Sequence, residues 1–185
     1  RARRLRWHGT HLGAARHSPL HPCIHSQVYY NDLQKVFSNQ DCSSAFYGVH
    51  LTAAQPTITV NNTGLDKHGA PRAYLGYATE TKPPAGELSL VLEGVPHKAS
   101  YRICAVGEPT FYGKYHQYSV VTDDTGFSLY VMARNITDFF VRYDAEVHQV
   151  LSKLGYTGIW APKKNKQDSS CPMYAPWPSV LGQAF

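Results

Sequence analysis

From about residue 43 to residue 133, apolar and polar side chains alternate with period two in one short run after another. The runs SSAFYGVHL, PTITVNN, RAYLGYATE, GELSLVLEG, SYRICAV, KYHQYSVV and FSLYVMA are rich in β-branched and aromatic residues. That composition, bounded by turn residues, predicts strands. The separators are explicit turn chemistry, such as Asn62-Thr63-Gly64, Lys67-His68-Gly69 and Asp123-Asp124-Thr125-Gly126,. A further strand expected across 27–37 brings the number to eight, at the hairpin spacing of an antiparallel sandwich or barrel.

One stretch breaks the period. In ITDFFVRYDAEVHQVLSKLGY, the residues Phe139, Phe140, Tyr143, Val147, Val150, Leu151 and Leu154 recur at helical spacing and form one apolar face,. Thr137 or Asp138 is expected to cap its start, and Gly155 to stop it. An amphipathic helix after eight strands has to bury its stripe against the outside of the sheet.

Alternation also assigns faces. Leu88, Leu90 and Leu92 share one side of their strand, and Tyr101, Ile103 and Ala105 lie opposite Arg102 and Cys104,. Tyr74, Gly76 and Ala78 fall together, and two such small residues leave room that a packed sandwich fills. A closed barrel with a cavity is therefore expected. The inward set is read as Tyr74, Leu90, Leu92, Tyr101, Ile103, Tyr130 and Met132. These tyrosines and aliphatics suit an elongated or ring-bearing hydrophobic molecule.

Composition changes this picture little, but charge and cysteine do. The net charge of +5 belongs to Arg1, Arg3, Arg4, Arg6 and Arg16, which leaves the rest of the chain formally neutral. A nucleic-acid reader carries its charge on the folded part, so no nucleic-acid partner is expected. The chain starts at Arg1 with no initiator Met and no apolar signal core, which implies a processed, truncated or incomplete start. No apolar run reaches the length of a membrane helix. Cysteines at 23, 42, 104 and 171 include no C-x-x-C pair, so no zinc ribbon or thioredoxin-like site is expected, and two disulfides in any of three connectivities remain open,. With sequons at Asn61 and Asn135, they point to an oxidising compartment: secreted or an organelle lumen, peripheral to a membrane at most.

No G-x-S-x-G elbow, H-E-x-x-H pair, P-loop or G-x-G-x-x-G turn occurs,. Asp123 and Asp124 resemble a general-acid pair but are expected to bind turn amides. No catalytic residue, metal site or required cofactor is assigned; the barrel would hold only a bound lipid or pigment. The stretch HSPLHPCIH, with His8 and His11, has ligand-type side chains, but its two prolines hold it extended.

From Gln27 to Cys171 the order of elements, and above all TDDTG, FSLYVMARN, the helix and GYTGIWAP, resembles the lipocalins, within them the apolipoprotein D and bacterial-type branch. The resemblance implies a mainly β fold, an eight-stranded antiparallel up-and-down lipocalin barrel with one C-terminal α-helix packed outside. It also implies a non-enzymatic binder of lipids, retinoids, carotenoids or other pigments. A lipocalin-type catalyst such as a xanthophyll de-epoxidase would carry a cysteine-rich leader and an acidic tail, both missing here. Lipocalins close the barrel floor with a tryptophan from G-x-W beneath an arginine ending the last strand. Here QVYY stands at the first place, so Tyr29 would stack beneath Arg134. The resemblance further implies a Cys42–Cys171 disulfide, with Cys23 left to pair with Cys104.

The expected organisation is a basic His/Arg-rich arm (1–26), the barrel with its helix (27–171) and a proline-rich tail (172–185). Neither end has the periodicity to fold alone. The alternative reading is therefore an accessory subunit docked by both arms on a larger assembly, such as the lumenal side of a membrane pigment–protein complex. Trp7, Trp177 and Phe185 would be its anchors.

Overall fold

The computed structural model describes residues 23–30, 41–50, 57–82, 86–109 and 116–171. The strands are β1 (Cys23–Tyr30), β2 (Asp41–His50), β3 (Thr57–Leu65), β4 (Pro71–Lys82), β5 (Glu87–Leu92), β6 (Ala99–Val106), β7 (Tyr118–Thr122), β8 (Leu129–Ala133) and a short β9 (Lys163–Lys164). Each of β2 to β8 pairs antiparallel with the next, and β8 pairs with β1. β1 also pairs with β2 through Cys23–Ser26, which closes the ring into an eight-stranded barrel, while β9 pairs with Tyr29 and Tyr30 on the edge of β1 opposite β8. Closure removes the unpaired edges that an open sheet would expose.

β1 begins at Cys23, inside the arm expected for 1–26, and residues 31–37 of the strand expected there lie outside the described residues. Its first half pairs with β2 and its second half with β8. A register shift between Gln27 and Tyr29 lies in the second half. This bulge decides the fate of Tyr29. Gln27 lines the barrel interior, whereas Tyr29 is buried in the outer core beneath the helix.

The helix starts as a single turn (Ile136–Asp138), passes through a π-helical turn (Phe139–Tyr143) and continues as α-helix Asp144–Lys153. Its N-cap is Asn135, two or three positions earlier than the expected Thr137 or Asp138, with the side-chain oxygen accepting from the Asp138 amide. Gly155 follows at φ 91°, the left-handed stop that the sequence indicates,. Phe139, Tyr143, Val147 and Leu151 are buried against Leu129, Val131 and Ala133 of β8 and Val120 of β7. The main core therefore lies between the helix and the outside of the barrel, not within the lumen.

A second, smaller core fills part of the lumen. Val60, Ala78 and Leu90 are buried there, with Ile58 and Leu88 packed against them. Ala78 is thus plug rather than empty space. Gly76 is small for a different reason: a Cβ there would collide with the Val91 carbonyl of β5. Neither residue opens the cavity.

Cys42 and Cys171 form a disulfide. It fastens the segment after β9 to the start of β2, where Cys42 holds φ 54° and its amide donates to the Lys166 carbonyl. Gln167 reinforces the seam by donating through Nε2 to the carbonyls of Gln27 and Ser43. The expected Cys23–Cys104 bridge is not formed, because Cys104 is a free thiol. Their strands explain it. β1 and β6 are separated by β8 and β7, three strand spacings of about 4.8 Å, while disulfide-bonded Cα atoms lie about 4.4–6.8 Å apart,.

Candidate functional site

A cavity of ≈ 660 Å³ opens into the barrel from the end carrying the β5–β6 and β7–β8 turns. Its size falls within the range of small-molecule sites. Six of the seven residues assigned inward by alternation line it: Tyr74, Leu90, Leu92, Tyr101, Tyr130 and Met132. Ile103 is the exception. A register shift between Ile103 and Ala105 ends the simple alternation of β6, and Cys104 and Ala105 both pack on the outer core.

Tyr47, outside the set of seven, also lines the cavity and faces Tyr101 across the lumen. β2 and β6 are four places apart in the ring of eight, so these two strands are opposite walls. The two phenol oxygens meet at 3.1 Å. Beside and beneath them lies the plug of Val60, Ala78, Leu90, Ile58 and Leu88. Tyr130 reaches in from β8. Burial raises the phenol pKa of Tyr47, raises that of Tyr101 well above its usual value, and pushes Tyr130 up to about 12, so all three are neutral donors at ordinary pH.

Alternation alone could not select Tyr47. In SSAFYGV both faces carry apolar or small residues, so period two groups Ala45 with Tyr47 without saying which face is inward,. Gln27, Ser44, Asn62 and Thr63 also line the wall and add polar edges to it. Val95 and Lys98 are exposed at the rim, as are Asp124 and Thr125.

The rim acids act as the turn chemistry predicts. Asp123 accepts from the amides of Thr125, Phe127 and Ser128 and from the hydroxyls of Thr125 and Ser128. Partial burial raises its pKa, but these hydrogen bonds outweigh burial and hold it below the usual carboxylate value. Asp124 accepts from the Ser100 hydroxyl at 2.7 Å and its amide donates back at 2.8 Å, which ties the β7–β8 turn to the start of β6.

The expected clasp is built differently. Arg134 Nε donates to the His116 carbonyl at 2.9 Å, and its amide donates to the Gln117 carbonyl. Tyr29 is opposite Val131, three residues before Arg134 and so about 10 Å along the strand,. Its hydroxyl turns outward instead, donating to Asp144 at 2.6 Å with His148 Nε2 at 3.2 Å. Its ring meets Phe139 and Phe140 edge-on. Tyr29 therefore seats the helix rather than the floor.

Of the sequons, Asn61 lies in mid-β3 with its side-chain oxygen buried and unpaired among the described residues, whereas Asn135 is exposed at the helix start. The described residues include no group of His, Cys, Asp and Glu able to hold a metal, and no helix long and apolar enough to cross a membrane. Trp7, Trp177, Phe185 and both expected docking arms, apart from the four residues at the start of β1, lie outside the described residues.

No protein-family model and no curated protein matches the chain. Solved structures do. Lobster apocrustacyanin A1 is similar over 80% of this chain and 78% of its own, with a TM-score of 0.56 at 16% identity. The H1 crustacyanin of the lobster Homarus americanus is similar over 88% of this chain and 84% of its own, with a TM-score of 0.58 at 16% identity. These are lipocalins, and the likeness shows that this chain has the lipocalin fold.

Proposed function

We propose that this protein binds a small hydrophobic molecule, a lipid, retinoid, carotenoid or other pigment, in the barrel cavity without catalysing a reaction on it. The observation that carries this reading is the cavity itself: ≈ 660 Å³, walled by Leu90, Leu92, Met132 and the rings of Tyr74, Tyr101 and Tyr130. A concave, mostly apolar site with a few placed polar groups is what such ligands require. The likeness to crustacyanins, and the wider resemblance to apolipoprotein D-type lipocalins, supports the same class of function.

The acids and histidines that suggest chemistry are otherwise engaged. Asp123 and Asp124 hold the rim turns, and His148 and Asp144 face Tyr29 beneath the helix. The Cys42–Cys171 disulfide supports an extracellular or lumenal setting,. Asn135, being exposed, is the sequon suited to carry a glycan,.

The test is native mass spectrometry of protein isolated gently from its source, followed by organic extraction. A hydrophobic molecule at unit stoichiometry is the expected result. Protein that carries nothing and takes up no lipid or pigment when these are supplied would overturn the reading.

A further inference from the structure

We propose that the cavity wall formed by β1 to β3 reads a polar edge, so that the ligand is a flat, fused-ring molecule with hydroxyl or carbonyl groups along one side rather than a hydrocarbon chain. This rests on the reading of the cavity as a ligand site and narrows it to a chemical class.

The lining residues divide into two arcs. Gln27 of β1, Ser43 and Ser44 of β2, and Asn62 and Thr63 of β3 lie on neighbouring strands, and all are polar. Deeper on β2 the wall turns apolar through Ala45 and the ring of Tyr47. The other arc, from β4 round to β8, carries Tyr74, Leu90, Leu92, Tyr101, Tyr130 and Met132. Ser100 and Ser128 also belong to it, but Asp124 and Asp123 take up their hydroxyls in the rim turns.

Two carboxamides on the polar arc have bonding capacity to spare. Gln27 is only 6% exposed. Among the described residues its side chain makes one long contact, from Nε2 to the Tyr29 carbonyl at 3.4 Å, and Oε1 accepts from none. The Asn62 side chain makes no hydrogen bond among the described residues. Each carboxamide offers donors and an acceptor, so a hydroxyl or a carbonyl satisfies it. A hydrocarbon chain laid against this arc would take water from both and return nothing, which is costly in a buried site. A polar edge avoids that cost. β1 and β3 are two strand spacings apart, about 10 Å, and the inward side chains of a closed barrel converge,. One edge of a fused ring therefore reaches both amides, while its other edge lies against the rings and aliphatics of the second arc.

The test uses the isomers 2,7- and 2,6-dihydroxynaphthalene, with 2,7-dimethylnaphthalene as the apolar control, each measured by displacement of bound aminoanthracene from the purified full chain. The two diols share composition and skeleton, and only the 2,7 isomer has both hydroxyls along one edge. Wild type is expected to bind that isomer about three- to tenfold more tightly than the other. Gln27→Met and Asn62→Leu keep the bulk of each side chain and remove its polar end, so each should narrow the preference without weakening the dimethyl control. The isomer comparison needs wild type alone, and the two variants are read separately, so poor folding of one leaves the test standing. Equal binding of the two diols by wild type, or a preference unchanged in both variants, would overturn the polar edge while leaving the cavity a ligand site. Failure of aminoanthracene and all three probes to bind wild type would overturn the cavity reading with it.

Discussion

Asp123 shows how much one side chain in a loop can organise. Five donors from Thr125, Phe127 and Ser128 converge on its two oxygens, so the carboxylate, not the strand sequence, shapes the β7–β8 turn,. Asp123→Asn exchanges one acceptor oxygen for an NH₂ group that faces donors, and we expect a loss of about 1–2 kcal/mol in unfolding free energy. Because hydrogen bonding lowers the folded pKa, the protein gains stability from this group above the ordinary carboxylate pKa of about 4 and loses it as pH falls through the lower folded value,. Urea midpoints taken from about pH 6 down to about pH 2 should fall less steeply in Asp123→Asn than in wild type; parallel curves would contradict the account. Gly76 is a second residue of this kind, fixed by space rather than charge. Gly76→Ala would drive a methyl group into the Val91 carbonyl, so β4 and β5 would have to separate. Poor recovery of soluble protein, or a melting temperature several degrees lower, is expected.

At the scale of elements, the helix carries more of the stability than the lumen does. Val147 and Leu151 are completely buried against the outer wall, and Phe139 nearly so. Leu151→Ala leaves a hole that β7 and β8 cannot close without breaking their ladder, for an expected cost of about 2–5 kcal/mol in chemical denaturation,. A cost within error of zero would mean that the helix is not seated as described. The strands, the helix and most of the cavity wall were legible in the sequence because period two and period 3.6 are strong signals over runs of this length. What was not legible lies at bulges. The shift between Gln27 and Tyr29 turned a residue read as floor into a seat for the helix, and the shift between Ile103 and Ala105 put Ala105 on the outer core beside Cys104, which alternation sets on the opposite face. A bulge inserts one residue and resets the face of every residue after it, and no local pattern in SQVYY or RICAV announces that. Tyr47 escaped for another reason: a strand apolar on both faces gives no sign of which one is inward. The pairing of Cys104 failed because it depended on strand order around the ring, which alternation does not contain.

The whole molecule is held shut by a connection that no strand provides. The ladder closes through β1, yet β1 divides its pairing between β2 and β8, so the seam there is shorter than a full strand on either side. The chain beyond the helix reinforces it from outside. β9 pairs with Tyr29 and Tyr30, the Asn165 amide donates to the Val28 carbonyl, Gln167 bonds the backbones of β1 and β2, and Cys171 ends the segment on Cys42. The disulfide spans 129 positions of sequence, so it encloses β2 through β9 in one covalent loop. In the chain-entropy model a loop of that size stabilises by about 3–5 kcal/mol, by restricting the unfolded chain. Cys171→Ala should therefore lower the melting temperature by several degrees, and reductant should lower wild type by a similar amount while leaving the variant unmoved. The Gln167 contacts are independent of the sulfur, so Gln167→Ala should add a further loss of about 1 kcal/mol in the reduced protein and in Cys171→Ala alike. Equal melting of oxidised wild type and Cys171→Ala would show that the non-covalent seam alone closes the barrel. A large loss from Cys171→Ala with none from Gln167→Ala would instead assign the closure to the covalent loop.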